Sequence, residues 1–219
     1  MGKLIVIDGL DGSGKNTQSR ILAERLENEG EKVKLVSFPD YDSPACEPVK
    51  LYLSGAFGSD PESVNCYAAS AFYAVDRFAS YRLHWKKHLD EGGVVIANRY
   101  TTANAIHQLA KLPEDQHDAF RAWLWDFEFE KLGLPVPDLT VFLEVPVEES
   151  LRLIEVRGEK KDIHENRAHL EKAYRAAVET AEKWNWKTIH CARPEGGLYP
   201  VETIAEKLYR EVRVPVKGE

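Results

Sequence analysis

Residues 9–17 read GLDGSGKNT, with glycines at 9, 12 and 14 and a lysine at 15. Glycines at this spacing let a backbone curl until successive N–H groups point at one anion. A helix that begins right after such a loop adds the positive end of its dipole. This is close to the phosphate-binding pattern G-x-x-x-x-G-K-[ST], in which the lysine reaches the β and γ oxygens of a nucleotide. One position departs. Asn16 stands where the pattern has a magnesium-holding hydroxyl, and the hydroxyl of Thr17 arrives one residue late. Gly9, Leu10, Asp11, Gly12, Ser13, Gly14, Lys15, Asn16 and Thr17 are therefore the candidate nucleotide contacts.

Three further stretches carry groups able to bind a phosphorylated ligand. In YAVDRFASYR, at 73–82, Tyr73 lies four residues before Arg77, so on a helix a ring and a guanidinium share one face. That pair suits stacking on a base while binding its edge or its phosphate. The plainer reading is a solvated Asp76–Arg77 pair on a helix face. In VVIANRYTTANAIHQ, at 94–108, an apolar strand ends at Asn98-Arg99-Tyr100 and passes into a helix. Such strand ends are where α/β folds put ligand contacts, and Arg99 is placed there to grip a phosphate with two hydrogen bonds. Asn104 follows, with His107 and Gln108 three and four residues after it on the same face. Asn104 offers a donor and an acceptor that fit a pyrimidine edge, whereas a lone His107 reads by default as structural. Finally, RGEKKDIHENR, at 157–167, clusters Arg157, Lys160 and Lys161 after a helix. It reads either as a solvated loop or as a lid that closes on phosphates and excludes water.

Five short apolar runs, at 4–7, 33–37, 94–97, 139–145 and 188–191, are the strands that would position these groups. They are near-continuously apolar rather than alternating, as in a parallel sheet covered on both faces. Helical periodicity fills 17–28, 62–90, 114–132, 147–156, 165–184 and 201–212 between and after them. Strand–helix alternation of this kind predicts an α/β doubly wound fold with ligands beyond the carboxyl ends of the strands. No internal repeat or linker divides the chain, so 1–219 reads as a single domain. The turn at 193–200 and the tail at 214–219 are its loosest pieces.

Composition narrows the function further. Hydrophobic residues make up 43% and charged residues 30% of the 219, which fits a soluble globular chain. No run approaches the roughly 18 apolar residues of a membrane span, and MGKLIVIDG is too short an apolar run for a secretory signal. Cys46, Cys66 and Cys191, odd in number and far apart, read as thiols in a reducing, cytoplasmic compartment. A net charge of −7 excludes a large footprint on a nucleic acid polymer or an anionic membrane. A small phosphorylated ligand needs only a few local cations.

In their order these segments resemble the bacterial-type thymidylate kinases, P-loop nucleoside-monophosphate kinases, from residue 3 to about residue 175. The resemblance runs through GLDGSGKNTQ, FPDYDSP at 38–44, YAVDR, NRYTTANAIHQ, LGLPVPDLTVFLEV at 132–145, and a lid ending in DIHE. It implies a P-loop NTPase fold, a five-stranded parallel sheet flanked by helices on both faces, with a short lid at about 157–167. It also implies transfer of the γ-phosphoryl group of ATP to dTMP with Mg2+, in a homodimer.

By the same resemblance Lys15 and the loop amides grip the ATP phosphates, and Asp11 lies between donor and acceptor near the metal. Phe38 and Pro39 wall the acceptor pocket, with Tyr41 near the acceptor phosphate. Tyr73 stacks on thymine, Arg77 reaches base and phosphate, Arg99 binds the acceptor phosphate, and Asn104 and Gln108 line the base pocket. His107 takes the place of an aromatic residue that crowds out a ribose 2′-hydroxyl. Because the loop carries Leu10 and Ser13 rather than an arginine, Arg157, Lys160 and Lys161 must supply the lid charge. Three positions depart from the family pattern: Asn98 for an acid, Ala103 for a serine, and Asn16. Asp11 and Glu165 are left as metal candidates. Other monophosphate or deoxynucleoside acceptors, and a nucleotide-binding regulatory protein without catalysis, are the alternatives.

Overall fold

A computed structural model describes residues 2–58, 60–157 and 167–218. Five strands form one sheet: β1 (Lys3–Gly9), β2 (Val33–Ser37), β3 (Val94–Asn98), β4 (Leu139–Glu144) and β5 (Lys187–His190). Their order is β2-β3-β1-β4-β5, and every pairing is parallel. The apolar runs are continuous because both faces are covered. Ile5 and Ile7 of β1, with Val94 and Ile96 of β3, pack under α1 (Lys15–Asn28) and α9 (Val201–Lys217). Leu4, Val6, Val95 and Ala97 point the other way, into Tyr81, Trp85, Tyr100 and Phe129. Burying each such side chain is worth about 1.5–3 kcal/mol, so the alternation fixes register as well as stability.

The helices on that second face differ in detail from the periodic segments. The long segment expected from 62 starts as a turn at Pro61–Ser63, where Asp60 Oδ1 accepts from Glu62 N at 2.8 Å. Helix α3 (Cys66–Ser80) follows, capped by Asn65 Oδ1 on Ala68 N at 2.8 Å. It widens into a π turn at Tyr81–Trp85 and closes as α4 (Lys86–Asp90). Likewise α6 (His117–Trp125) widens into a π turn at Asp126–Lys131. Two short helices, α2 (Glu47–Leu53) and α5 (Thr101–His107), are followed along the chain by α7 (Val147–Arg157) and α8 (Arg167–Lys183).

At the C-terminus α9 passes the Val212 end set by periodicity and reaches Lys217, with Gly218 at φ 71 closing it. Lys217 Nζ pairs with Glu29 Oε2 at 2.5 Å and Val216 packs on the core, which anchors a segment expected to be loose. Cys46, Cys66 and Cys191 are all buried and unbridged. Among the described residues no helix is long and apolar enough to cross a membrane.

Candidate active site

Strand β1 lies at the middle of the sheet, and its carboxyl end runs straight into the glycine loop. Gly12 has φ 79, and a Cβ there would stand 2.6 Å from the Ser150 carbonyl oxygen, so only glycine lets the loop lie against α7. Gly14, also at φ 79, is the N-cap of α1 and aims the first turn of that helix at the loop. The turn is closed by Ser13 N donating to Leu10 O at 3.1 Å. Lys15 folds back over it, with Nζ 2.9 Å from Leu10 O and 3.8 Å from Asp11 Oδ1. Asn16 and Thr17 are exposed on the first turn of α1. Beneath the loop, buried Asp8 accepts from Gly9 N at 2.8 Å and from the Thr102 hydroxyl, tying β1 to α5.

From the adjacent strand β3, Arg99 enters the same space. Its backbone is left-handed (φ 65), and its N–H donates to Ile7 O at 3.0 Å. That conformation is uncommon for a residue with a side chain, and such positions gather at functional sites. The guanidinium donates to Asp11 Oδ1, lies 3.8 Å from Asp8 Oδ1, and meets His107 Nε2 at 2.9 Å. A guanidinium only donates, so His107 Nε2 accepts and its Nδ1 carries the proton, toward His169 Nε2 at 3.3 Å. The two imidazoles stack, 5.6 Å apart and 6° from parallel. Burial, helped by the charge of Lys111, pushes the pKa of His169 down to about 4, so His169 is neutral at pH 7.

One helical layer away lie the residues with base-reading potential. Arg77 and Asp76 are both buried, which overturns the reading of a solvated pair. Asp76 Oδ2 accepts from Asp40 N at 2.9 Å and pins the FPDY loop to α3, and burial pushes its carboxyl up to about 6. Arg77 turns instead to Glu128, donating from Nε at 2.8 Å and from Nη2. Glu128 also accepts from Thr101 Oγ1 at 2.7 Å and from Asn104 Nδ2 at 3.1 Å. Gln108, one turn beyond Asn104, is fully buried, and neither amide atom has a partner among the described residues. Tyr73 is half-buried and meets Tyr52 edge-on at 6.4 Å. Phe38 packs on Tyr100 at 6.0 Å in the core, Pro39 is half-buried, and Tyr41 is 54% exposed.

The candidates thus fall into two joined groups: Lys15, Asp11, Arg99 and His107 at the strand ends, and Tyr73, Arg77, Asn104 and Gln108 beside them. Of Arg157 only the backbone is described, at the end of α7; Lys160, Lys161 and Glu165 lie outside the described residues. Sequence reasoning missed Asp8, Glu128 and His169. A signal for Glu128 was present: it sits four residues after Leu124 and eight after Phe120, an acid on the apolar side of a helix.

The thymidylate kinase family profile matches residues 7–197. The chain belongs to the thymidylate kinase family. A thymidylate kinase of Mycobacterium tuberculosis is 37% identical over 147 residues, covering 66% of this chain and 67% of that one. A probable thymidylate kinase of Pyrococcus horikoshii is 32% identical over 157 residues, 72% of each chain. The solved thymidylate kinase of Candida albicans superposes with a TM-score of 0.76 at 24% identity, over 100% of this chain and 94% of that one, and shares its fold.

Members of this family imply a magnesium ion, and the chemistry of the donor set bears on whether one fits. Among the described residues no cluster of three or more His, Cys, Asp or Glu side chains could hold a metal by itself. Asn98 donates through Nδ2 to Ser37 Oγ at 3.1 Å, and its Oδ1 is buried with no partner among the described residues. Magnesium commonly takes only one or two carboxylates, completing its shell with phosphate oxygens and water. Asp11, the glycine-loop carboxylate beside Lys15, fits an ion shared with a nucleotide.

Proposed function

We propose that the protein transfers the γ-phosphoryl group of ATP to dTMP, giving dTDP and ADP. One observation carries this reading: Lys15, from the loop after β1, and Arg99, from the end of neighbouring β3, converge on one carboxylate oxygen, Asp11 Oδ1. A cation suited to a donor phosphate and one suited to an acceptor phosphate therefore meet at a single point. In-line phosphoryl transfer asks for that arrangement, because its catalysis is positioning plus neutralisation of developing charge.

Lys15 and the loop N–H groups hold the β and γ phosphates, while Arg99, oriented by neutral His107, holds the 5′-phosphate of the acceptor. No general base is needed, since a phosphate monoester oxygen at neutral pH is already ionised. Asp11 would hold a magnesium ion together with phosphate oxygens and water. When bound, the ion would supply neutralisation of the charge that develops on the phosphates. The metal role read for Glu165, and the lid charge read for Arg157, Lys160 and Lys161, rest on the family resemblance.

Tyr73, Arg77, Asn104 and Gln108 form the base pocket in this reading, with the loop of Phe38, Pro39 and Tyr41 at its edge. The whole chain acts as one kinase domain in this reading; residues 158–166 of the lid expected at about 157–167 lie outside the described residues. A homodimer is supported by the apolar side chains that α3 and its π turn expose, Val75 (53%), Phe78 (39%) and Leu83 (73%). A cytoplasmic setting is supported by three unbridged thiols. The test is ADP release with ATP and a panel of monophosphate acceptors; dTMP should be turned over far faster than dCMP or purine monophosphates.

A further inference from the structure

We infer that Glu128 sets the donor and acceptor polarity of the base pocket, so that the site takes pyrimidines with a 4-oxo group and a protonated N3. This rests on the pocket assigned under the proposed function. Glu128 is 0% exposed and lies in the π turn that follows α6, a distortion that recurs at functional sites. Its two oxygens accept four hydrogen bonds: Oε2 from Arg77 Nε and Thr101 Oγ1, Oε1 from Arg77 Nη2 and Asn104 Nδ2.

An ionised carboxylate can only accept. It therefore obliges the Asn104 amide to turn its nitrogen inward, where Ser70 O accepts a second bond at 3.3 Å. Asn104 Oδ1 is left as the group a ligand meets, and it can only accept. In the same way the fork of Arg77 is spent on Glu128 through Nε and Nη2, which leaves Nη1 to donate. One outward acceptor beside one outward donor matches N3–H and O4 of thymine or uracil. Cytosine presents a lone pair at N3 and an amino group at C4, opposing both. Reversed polarity of this kind discriminates strongly because the buried groups of the protein are left without partners. Glu128 touches no substrate atom and is a positioning residue.

The experiment measures turnover by ADP release, and binding by calorimetry, for dTMP, dCMP and N3-methyl-dTMP. In the wild type, dCMP and N3-methyl-dTMP should each fall at least about 10²-fold below dTMP in kcat/KM. In Glu128→Gln one of the two accepting oxygens becomes an NH2, facing either Arg77 Nη2 and Asn104 or Arg77 Nε and Thr101, so the pair of acceptors that orients Arg77 and Asn104 is broken. The dTMP-to-dCMP ratio should then drop at least about tenfold, in binding and in kcat/KM. In the exchange variant Glu128→Gln/Asn104→Asp the outward group of residue 104 is an oxygen whichever way the side chain turns, so it should restore the preference for dTMP. A general loss of folding would lower all substrates alike and would not be rescued by the exchange.

Wild-type turnover of N3-methyl-dTMP equal to that of dTMP would overturn the inference, whatever the stability of the variants. So would a Glu128→Gln ratio unchanged within about twofold. Glu128-dependent binding of dTMP without any phosphoryl transfer would support the pocket's polarity and sink only the kinase reading.

Discussion

Replacing Arg99 by alanine and by glycine separates the work of the side chain from that of the backbone. The guanidinium already makes two directed contacts, to Asp11 and His107, and the same fork offered to a phosphate makes two charge-assisted hydrogen bonds. Each such bond is worth about 1.5–3 kcal/mol, so losing the pair raises the barrier by about 3–6 kcal/mol. At ~1.4 kcal/mol per factor of ten, kcat/KM for dTMP should fall by about 10²–10⁴-fold in both variants. Their stabilities should differ. At φ 65 an alanine Cβ costs roughly 1 kcal/mol that glycine does not. For a chain of this size that is roughly 2–4 °C in Tm, with Arg99→Gly the more stable of the two. The assay is coupled ADP release, titrating dTMP at saturating ATP and then ATP at saturating dTMP. The loss should sit on the dTMP side, with KM for ATP changed by less than about threefold. Variants that keep kcat/KM for dTMP within about fivefold of the wild type, or that lose it only through ATP, would refute the placement of Arg99 on the acceptor phosphate.

Lys15→Ala removes the amine that bridges the loop carbonyl of Leu10 and Asp11; turnover should fall by about 10³-fold or more while the far-UV circular dichroism spectrum is kept, and retained activity would contradict its role. Asp76 tests the electrostatics of the core. Its carboxyl is pushed up from 3.8 to about 6 by burial, so the folded state disfavours its ionisation, and the cost grows as pH rises from about 4 to about 6 and is full above that. Asp76→Asn keeps an acceptor for Asp40 N and has no ionisation cost. It should melt at a higher temperature than the wild type at pH 8, by up to ~3 kcal/mol of stability, and no differently near pH 4. A pH-independent difference would refute the assignment.

Much of the fold was legible because the strands announce themselves. A strand such as residues 4–7 is apolar on both faces only when both are buried, and the GxxxxGK spacing places a loop and a helix directly after it. The limits of the long helices were not legible. Asp60 caps a separate turn at Pro61–Ser63 and α3 begins only after its own cap at Asn65, and both π turns arise from packing that no periodicity encodes. In the site, Lys15 and Arg99 were readable because a glycine loop and a strand end are local features. Glu128 showed only as an acid on an apolar helix face and His169 not at all, since each acts on a residue far along the chain, Asn104 and His107, and acquires its meaning only once the chain has folded. Asp76 and Arg77 show the same limit from the other side: adjacent charges suggested a surface pair, yet each is buried with a different partner.

The most direct test of the proposed chemistry is ADP release from ATP and Mg2+ with dTMP, dUMP, dCMP, dGMP and no acceptor, each over a full concentration range. The convergence of Lys15 and Arg99 on Asp11, beside a pocket polarised by Glu128, predicts acceptor-dependent turnover with the highest kcat/KM for the 4-oxo pyrimidines dTMP and dUMP. It also predicts that dCMP and dGMP fall at least about 10²-fold lower. ADP release that is independent of acceptor, or as fast with dGMP as with dTMP, would contradict it.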